Sequence, residues 1–398
     1  MYSPWLQILD NGIRSLFWES PFTKIATVQC FFPGGRRLES LATAGISQLI
    51  AHQILNNHHQ YLEDLGSSVV VEVEADYLII TAKCLVDDLA ELLDFLAELL
   101  PRIEFNQDSL TEVQAEFIDR INEQQYNPFH LAYQQLQFLL YGNHPYSFGH
   151  WGTLDSVKNL GVKDLQDHYD RFFIPSHLSV AITANSSPDR VADLVAKSFG
   201  QWRCNQTAPV FTHQTITFRA GYSHQPWSGD QTWLMIGFAA PSVHDQDFFA
   251  MKIINAHLGN GSSCRLFQVL REQHGLVYDV STNCPTRFDS SHLLIHCRTE
   301  PNLQPKVQNL ILKERDNLCQ LLLQPEELEL AKNKLLGNYA LAKQTTAQLA
   351  HINGWYHTLQ LPPDFDFQFI KQIESTTPQA IQRAARKFMN DWVISIVG

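Results

Sequence analysis

Residues 48 to 52, Gln-Leu-Ile-Ala-His, have the five-residue frame of a zinc-binding helix, but only the last residue fits that role. In the pattern His-x-x-Glu-His, two histidines on one helix face bind a zinc ion, and the glutamate between them acts as general base on the metal-bound water. Here Gln48 replaces the first histidine and Ala51 replaces the glutamate. We therefore expect His52 to be a hydrogen-bonded core histidine, and we expect no metal bound by this chain.

Four further histidines could serve as replacement ligands by residue type, but none has ligand spacing. His58 and His59 follow His52 by about two helical turns, which is too far for a single ion on a straight helix. His144 and His150 lie in GNHPYSFGHW, a loop that contains glycine and proline but no carboxylate at ligand spacing. The sequence therefore offers no substitute for the missing ligands.

A second segment with residues suited to chemistry is GNGSSCRLFQVLREQHGLVYDVST, residues 259–282. Its pattern predicts a turn rich in glycine and serine, then a helix from about Cys264 to Glu272, then a strand LVYDVST. On that strand Tyr278 would share a face with Leu276 and Val280.

The side chains of Arg271 and Tyr278 are the chemically useful part of this segment. Taken alone, Arg271 is a surface charge on a helix and Tyr278 is a core aromatic residue. Taken together beside an exposed strand edge, they offer two donors that can hold a peptide carbonyl or the oxyanion formed from it. A possible substrate loop precedes them, formed by Gly259, Gly261, Ser262 and Ser263.

The elements that must position these residues follow from apolar periodicity. AGISQLIAHQIL, residues 44–55, predicts a buried helix around the pentad. ATVQCFFPG from Ala26 and WLMIGFAAP from Trp233 predict strands. LVDDLAELLDFLAELL, residues 85–100, predicts an amphipathic helix whose stripe consists of Leu85, Leu89, Leu92, Leu93, Leu96 and Leu100.

Several elements occur twice along the chain, in the same order. The helix–turn–strand pattern DLQDHYDRFFIPSHLSVAI corresponds to AIQRAARKFMNDWVISIV, with Phe172 aligned to Phe388. FNQDSLTEVQAEF likewise corresponds to LQPEELELAKNKL, and GISQLIAHQIL to FAMKIINAHLG. Such a repeat predicts an α+β fold of two structurally similar α/β sandwich halves. We place the domains at 1–205 and 221–398, joined by a linker at 206–220.

Composition excludes several classes of function. The formal net charge of −12 argues against nucleic acid and anionic membranes as partners. No apolar run is long enough to span a bilayer, and the start MYSPWLQILDNG lacks the features of a secretory signal. The seven cysteines are scattered without a CxxC pair, so we expect reduced cysteines and a cytoplasmic location.

With these residues in view, the chain resembles the pitrilysin/insulinase zinc peptidases, the inverted-motif class. GSSCRLFQVLREQHGLVYDVS resembles the signature of that family's C-terminal half. ILDNGIRSLF, FFPGGRRLES, YNPFHLAYQQLQFLLYGNHPYSFGHWGT and FFIPSHLSVAIT follow in the family's order, so the resemblance covers nearly the whole chain. The resemblance implies that each half has the fold of the zinc-processing peptidases, which is similar to that of LuxS and other metallohydrolases.

The resemblance also implies a degenerate zinc site. The family's His-x-x-Glu-His aligns with Gln48 to His52, and its third ligand, a glutamate, aligns with Arg120 when counted back from Asn127-Pro128. Two ligands and the general base are therefore changed. In contrast, Arg271 and Tyr278 match in type and spacing an arginine and a tyrosine that assist substrate binding and transition-state stabilisation in the family.

This combination resembles family members that work in pairs, such as mitochondrial processing peptidase, in which one chain carries zinc and the other lacks it. It implies that this chain has no activity alone and contributes Arg271 and Tyr278 to a homologous zinc-bearing subunit acting on a peptide or unfolded polypeptide. The alternative is a structural or assembly scaffold derived from the same family, like the core proteins of respiratory complexes, in which both residues only pack.

Overall fold

The structure is a computed structural model that describes residues 4–54, 62–63, 65–204, 206, 209–214, 216–259 and 261–398. Its strands form two sheets. Sheet A has the order β1-β2-β6-β3-β5-β4. It contains β1 (Trp5–Ile8), β2 (Arg14–Glu19), β3 (Ile25–Pro33), β4 (Ser68–Val73), β5 (Tyr77–Leu85) and β6 (Ser179–Ala184).

Sheet B has the order β7-β11-β8-β10-β9. It contains β7 (Gly221–Gln225), β8 (Thr232–Ala240), β9 (Val280–Asn283), β10 (Ser291–Thr299) and β11 (Trp392–Val397). The strands predicted from Ala26 and from Trp233 correspond to β3 and β8, the central strands of their sheets.

The helices alternate with these strands in both halves of the sequence. In the first half they are α1 (Ile46–Ile54), α2 (Leu89–Leu99), α3 (Gln107–Gln124), α4 (Pro128–Tyr141), α5 (Leu154–Asn159), α6 (Val162–Phe172) and α7 (Pro188–Phe199). In the second half they are α8 (Phe248–Leu258), α9 (Arg265–Phe267), α10 (Gln304–Gln320), α11 (Pro325–Leu341), α12 (Thr346–Thr358), α13 (Phe365–Ser375) and α14 (Pro378–Phe388). Short 3₁₀ turns span Gly35–Leu38, Leu41–Thr43, Val86–Asp88, Pro145–Ser147 and Pro175–His177.

The two sheets have the same strand pairing, which confirms the predicted α+β repeat. β2 pairs in parallel with β6, and β7 pairs in parallel with β11. The next neighbours are antiparallel in both sheets, through β3, β5 and β4 in sheet A and through β8, β10 and β9 in sheet B. Sheet A has one additional strand, β1, paired antiparallel with β2.

The chain forms two compact units, each assembled from three stretches of sequence. Unit 1 is Met1–Ile121, Gly149–Thr212 and Leu341–Phe367, and unit 2 is Asn122–Phe148, His213–Ala340 and Gln368–Gly398. Segment 122–148 belongs in sequence to the first predicted domain, and segment 341–367 to the second. Each predicted domain therefore contributes one stretch containing a helix to the other unit.

These exchanged helices cover one face of each sheet. In unit 1, α12 packs on β3 and β6, and β3 is buried from Ala26 to Phe32 because both its faces are covered. A Cβ on Gly354 of α12 would lie 2.1 Å from Phe31, so only glycine allows this close approach. In unit 2, α4 packs on β8 and β11, where Gly237 faces its leucines.

One predicted boundary was wrong. The apolar stripe predicted for the helix includes Leu85, but Leu85 is the last residue of β5 and is 51% exposed. The α-helix begins at Leu89, after the turn Val86–Asp88, and then buries Leu92, Leu93 and Leu96 as the periodicity predicts. In the described part of the chain, no helix has both the length and the apolar character needed to cross a bilayer.

Candidate functional site

The degenerate pentad lies on α1 in unit 1, as its apolar spacing predicts. Just before the helix, the backbone at Gly45 lies close to the backbone at Trp151. Gly45 has a φ of +91°, and a Cβ there would lie 2.7 Å from the Trp151 carbonyl oxygen. Buried Glu39 accepts hydrogen bonds from the backbone N–H groups of Gly45 (2.9 Å) and Ser47 (3.1 Å). These bonds satisfy donors at the helix start, while burial raises the pKa of Glu39 to about 7.

The side chains of the pentad pack instead of converging on a metal. Gln48 and Ala51 are both buried. Gln48 Nε2 makes a short hydrogen bond with Nε2 of His150. Because an amide nitrogen is a donor, His150 accepts this bond and is neutral. Partial burial, with the nearby charges of Arg36 and Arg120, lowers the pKa of His150, which favours the same neutral ring.

His52 packs among aromatic rings and is half-buried. Its ring centroid lies 5.1 Å from that of Phe117 and 6.3 Å from that of Trp151, both in edge-to-face geometry. Burial lowers the pKa of His52, the charge of Glu116 raises it, and the charge of Arg120 lowers it. A neutral ring in an aromatic setting is the environment of a packing histidine. His58 and His59 lie outside the described residues.

Arg120 lies close to these residues, on α3. It donates from Nε (2.9 Å) and Nη2 (2.6 Å) to Glu116 Oε1, and its guanidinium carbon is 4.6 Å from the centre of the Trp151 ring. A permanent positive charge thus stands where the family resemblance places a ligand for a cation. Within the described ranges, the carboxylate that Arg120 contacts is that of Glu116, and it is already engaged in this pair.

These residues do not fit a zinc ion. Ala51 has no donor atom, the Gln48 nitrogen is engaged with His150, and Arg120 repels a divalent cation. Over the ranges that the structure describes, no group of three or more His, Cys, Asp or Glu side chains is arranged to hold a metal ion. Sequence reasoning missed His150 as the neighbour of Gln48, although its motif GNHPYSFGHW marks the segment.

Arg271 and Tyr278 lie together in unit 2. Helix α9 continues as a π-helical turn, Gln268–Gln273, that carries Arg271; such turns are common at functional sites. The π-helical turn ends at Gln273 with His274 as its C-cap, and the next residue, Gly275, has a φ of +60° and an N–H that donates to the Arg271 carbonyl (2.9 Å). The predicted helix from Cys264 to Glu272 is therefore confirmed in position, but its last part is π-helical.

The predicted strand position of Tyr278 was wrong. Strand β9 begins only at Val280, and Tyr278 lies on a bend before it. Leu276 and Val277 are both buried, so residues 276–278 do not alternate as a strand does. Tyr278 is 73% exposed instead of sharing the buried face of Val280. Among the described residues, its hydroxyl has no hydrogen-bond partner, so the donor remains available to a ligand.

The guanidinium of Arg271 is held against Tyr278. Nη1 donates to the backbone carbonyl of Tyr278 at 2.7 Å. The guanidinium carbon lies 4.6 Å from the centre of the Tyr278 ring and 4.9 Å from that of Phe267. One N–H is used in this bond, and Arg271 makes no ion pair within the described part of the chain, so further donors remain.

The glycine turn packs beside the same edge strand. A Cβ on Gly259 would lie 2.1 Å from Thr282 of β9, and its carbonyl accepts a hydrogen bond from Lys334 Nζ at 2.8 Å. Gly261, Ser262 and Ser263 are exposed, while Asn260 lies outside the described residues. Among the described strands, β9 pairs with β10 alone and is the last strand in the order of sheet B, so the turn and Tyr278 both adjoin the outer strand of that sheet.

Comparisons with known proteins agree with this architecture. Residues 15–149 match the family described as Insulinase (Peptidase family M16), and residues 159–335 match the one described as Peptidase M16 inactive domain. A Bacillus subtilis (strain 168) protein named uncharacterized zinc protease YmxG is 22% identical over 402 residues, covering 98% of this chain and 96% of its own.

Two further likenesses also cover almost all of the chain. A Helicobacter pylori (strain ATCC 700392 / 26695) protein named non-peptidase homolog YmxG is 24% identical over 412 residues, covering 98% of this chain and 93% of its own. The crystal structure of a peptidase M16 inactive domain from Pseudomonas fluorescens has a TM-score of 0.90 at 20% identity, covering 100% of this chain and 98% of that one. The shared fold therefore includes both units.

Proposed function

Since the chain belongs to the insulinase family, peptidase family M16, and is an inactive member of it, we propose that it is the zinc-lacking subunit of a heterodimeric metalloendopeptidase. Its homologous partner supplies the zinc ion and the general base. This chain supplies Arg271 and Tyr278 for substrate binding and transition-state stabilisation, and residues of the glycine turn contact the substrate.

One contrast carries the proposal: the metal-ligand positions have lost their donors, whereas the Arg271–Tyr278 pair is assembled and accessible. The Tyr278 hydroxyl is free among the described residues, and the guanidinium is oriented by the Tyr278 carbonyl at 2.7 Å. Two oriented donors stabilise charge that develops on a carbonyl oxygen, and they need no metal of their own.

The position of the pair suits an extended peptide substrate. Tyr278 precedes β9 by two residues, and β9 is the outer strand of sheet B. A peptide that adds a strand at such an edge is held by main-chain hydrogen bonds, which tolerate many side-chain sequences. Its carbonyl groups would then lie within reach of donors at the strand's start. Peptides and unfolded polypeptides are therefore the proposed substrates.

The experiment is affinity purification of the tagged chain from its native cells, with identification and quantification of each co-purifying protein. The proposal requires an equimolar homologous partner with an intact His-x-x-Glu-His and zinc-dependent peptidase activity in the purified complex. Recovery of the chain alone, or within large assemblies that lack such a partner, would contradict it and would favour the scaffold role.

A further inference from the structure

Helix α12 packs on a face of sheet A that is rich in polar side chains. The opposite face belongs to the main apolar core, to which β3 contributes Val28, Cys30 and Phe32. On the face beneath α12, strands β3 and β6 bury polar side chains instead, namely Thr27, Gln29, Ser179 and Thr183. A helix that covers such a face gains less from the hydrophobic effect than one that covers apolar side chains.

The apolar contact beneath α12 is a small cluster. Its members are Phe31, Tyr77, Ile79, Ala181 and Ala350, with Trp355 packed against them. Within this cluster, α12 contributes Ala350 and Trp355, and the strands contribute the rest. The backbone at Gly354 also approaches the Phe31 ring closely, as described above. The fit between helix and sheet is therefore close, but the part of it that the hydrophobic effect stabilises is small.

Hydrogen bonds join α12 to the strands beneath it. The pairs are Thr346 Oγ1 with Thr27 Oγ1 at 2.8 Å, His357 Nδ1 with Ser179 Oγ at 3.1 Å, and His351 Nε2 with the Tyr77 hydroxyl at 3.3 Å. If the helix left the sheet, each group would exchange its partner for water, so the net contribution of each bond to docking is modest. These bonds therefore fix the position of α12 more than they strengthen its attachment.

Two polar groups on the covered face lack a hydrogen-bond partner among the described residues. Thr183 lies beside Thr27 in the strand register and is completely buried, and its hydroxyl is the first of these groups. The second is Oε1 of Gln29, whose Nε2 donates to Thr81 Oγ1 at 3.2 Å. A buried polar group without a partner costs free energy that contact with water would restore. Both groups therefore favour release of the helix from the sheet.

The segment around α12 is held together by contacts of its own. Thr345 caps the N-terminus of the helix and forms a capping box with Gln348. At the other end, Gln360 has a φ of +59°, and its N–H donates to a carbonyl of the last turn. Lys343 and Asp366 form an ion pair that joins the chain before the helix to the chain after it. None of these contacts involves sheet A, so they persist when the helix leaves it.

We propose that residues 343–366 form a clasp that docks on sheet A and is released from it as one piece, while the rest of unit 1 stays folded. In the released state water reaches the polar face of the sheet and satisfies Gln29 and Thr183. The clasp lies within 341–367, the stretch that unit 1 takes from the second half of the sequence, so release detaches that stretch from unit 1. The proposal is independent of the zinc-bearing partner and of the roles given to Arg271 and Tyr278.

Amide hydrogen exchange of the full chain in increasing urea, followed by mass spectrometry, tests the release. The comparison helix is α2, whose buried leucines lie in the main core. After correction for intrinsic exchange rates, amides of α12 should exchange at least about tenfold faster than those of α2. Their exchange should also depend less on urea, because release exposes less surface than global unfolding. Equal rates and equal urea dependence in the two helices would overturn the proposal.

Two matched valine variants separate release of the clasp from a general change in stability. Thr183→Val removes a hydroxyl that is unpaired in the docked state, so exchange in α12 should slow about fivefold. Thr27→Val removes the hydroxyl that pairs with Thr346, so exchange in α12 should become about threefold faster or more. Both threonines are completely buried and lie side by side on neighbouring strands. Changes of the same sign in both variants, or equal changes in α2, would contradict the proposal.

Discussion

Arg120 holds Glu116 through two N–H groups that donate to the same carboxylate oxygen, from Nε at 2.9 Å and Nη2 at 2.6 Å. The pair is partly exposed, so its net contribution to folding is small. Its consequence is electrostatic: a fixed cation lies next to His52 and His150 and acts to lower the pKa of both rings. The region of the degenerate pentad is therefore occupied by protein groups that pair with one another.

The first prediction concerns zinc content. Gln48→His, Ala51→Glu and Arg120→Glu should each leave the purified chain with well below one equivalent of zinc, because each restores only one missing group. The triple variant should hold about one equivalent, measured by metal analysis after dialysis. Adding His52→Ala to the triple variant is the control and should abolish binding. A near-stoichiometric zinc content in the unaltered chain would contradict this account.

The second prediction concerns the titration of His52. Since the Arg120 charge lowers the pKa of His52 and the Glu116 charge raises it, Arg120→Gln should raise that pKa, as measured by NMR titration of the ring proton. Arg203→Gln, a distant surface change in the same unit, should leave it unaltered. A His52 pKa that stays the same in the Arg120 variant would show that the two charges do not interact.

The same shift sets the sign of a stability effect. The pKa of His52 in the folded chain lies below the ordinary value of 6.5, so the unfolded chain binds the proton more readily. Protonation of His52 therefore lowers the free energy of unfolding as pH falls below that value. Because Arg120→Gln should bring the folded-state pKa of His52 closer to the ordinary value, the part of this decrease that His52 contributes should become smaller. Urea denaturation at several pH values measures the slope.

The third prediction compares two helical glycines. Gly354→Ala should lower the free energy of unfolding by about 1–3 kcal/mol or more, because its Cβ would lie 2.1 Å from Phe31. Gly337→Ala, at an exposed position of α11, meets nothing within 4 Å and should raise the free energy of unfolding by up to about 1 kcal/mol. Urea denaturation checks both. If Gly354→Ala were as stable as the unaltered chain, the close approach of α12 to β3 would be wrong.

Local features of the fold could be predicted from the sequence because they depend on neighbouring residues. The period of apolar residues identified α1 and the repeated elements, and the shared strand pairing of sheets A and B confirmed that repeat. The same reasoning misassigned Leu85, because a strand that ends directly before a helical turn continues the apolar pattern.

The remaining features depend on contacts between distant parts of the chain. The periodicity of apolar residues does not show which sheet α4 or α12 covers. In the structure α4, from the first half of the sequence, belongs to unit 2, and α12, from the second half, belongs to unit 1. Nor does the spacing of histidines show that His150 meets Gln48. The exposure of Tyr278 also escaped prediction, since Leu276 and Val277 are buried in succession and the strand starts only at Val280.

The central claim is that this chain contributes Arg271 and Tyr278 to catalysis by a zinc-bearing partner. The most direct measurement is kcat/KM of the reconstituted complex with this chain carrying Arg271→Ala or Tyr278→Phe. Arg298→Ala and Tyr222→Phe are matched controls: Arg298 also stacks on an aromatic ring, that of Trp233, and Tyr222 is also exposed. Each site variant should lower kcat/KM about tenfold or more, and the controls should not. Unchanged kinetics in both site variants would contradict the claim.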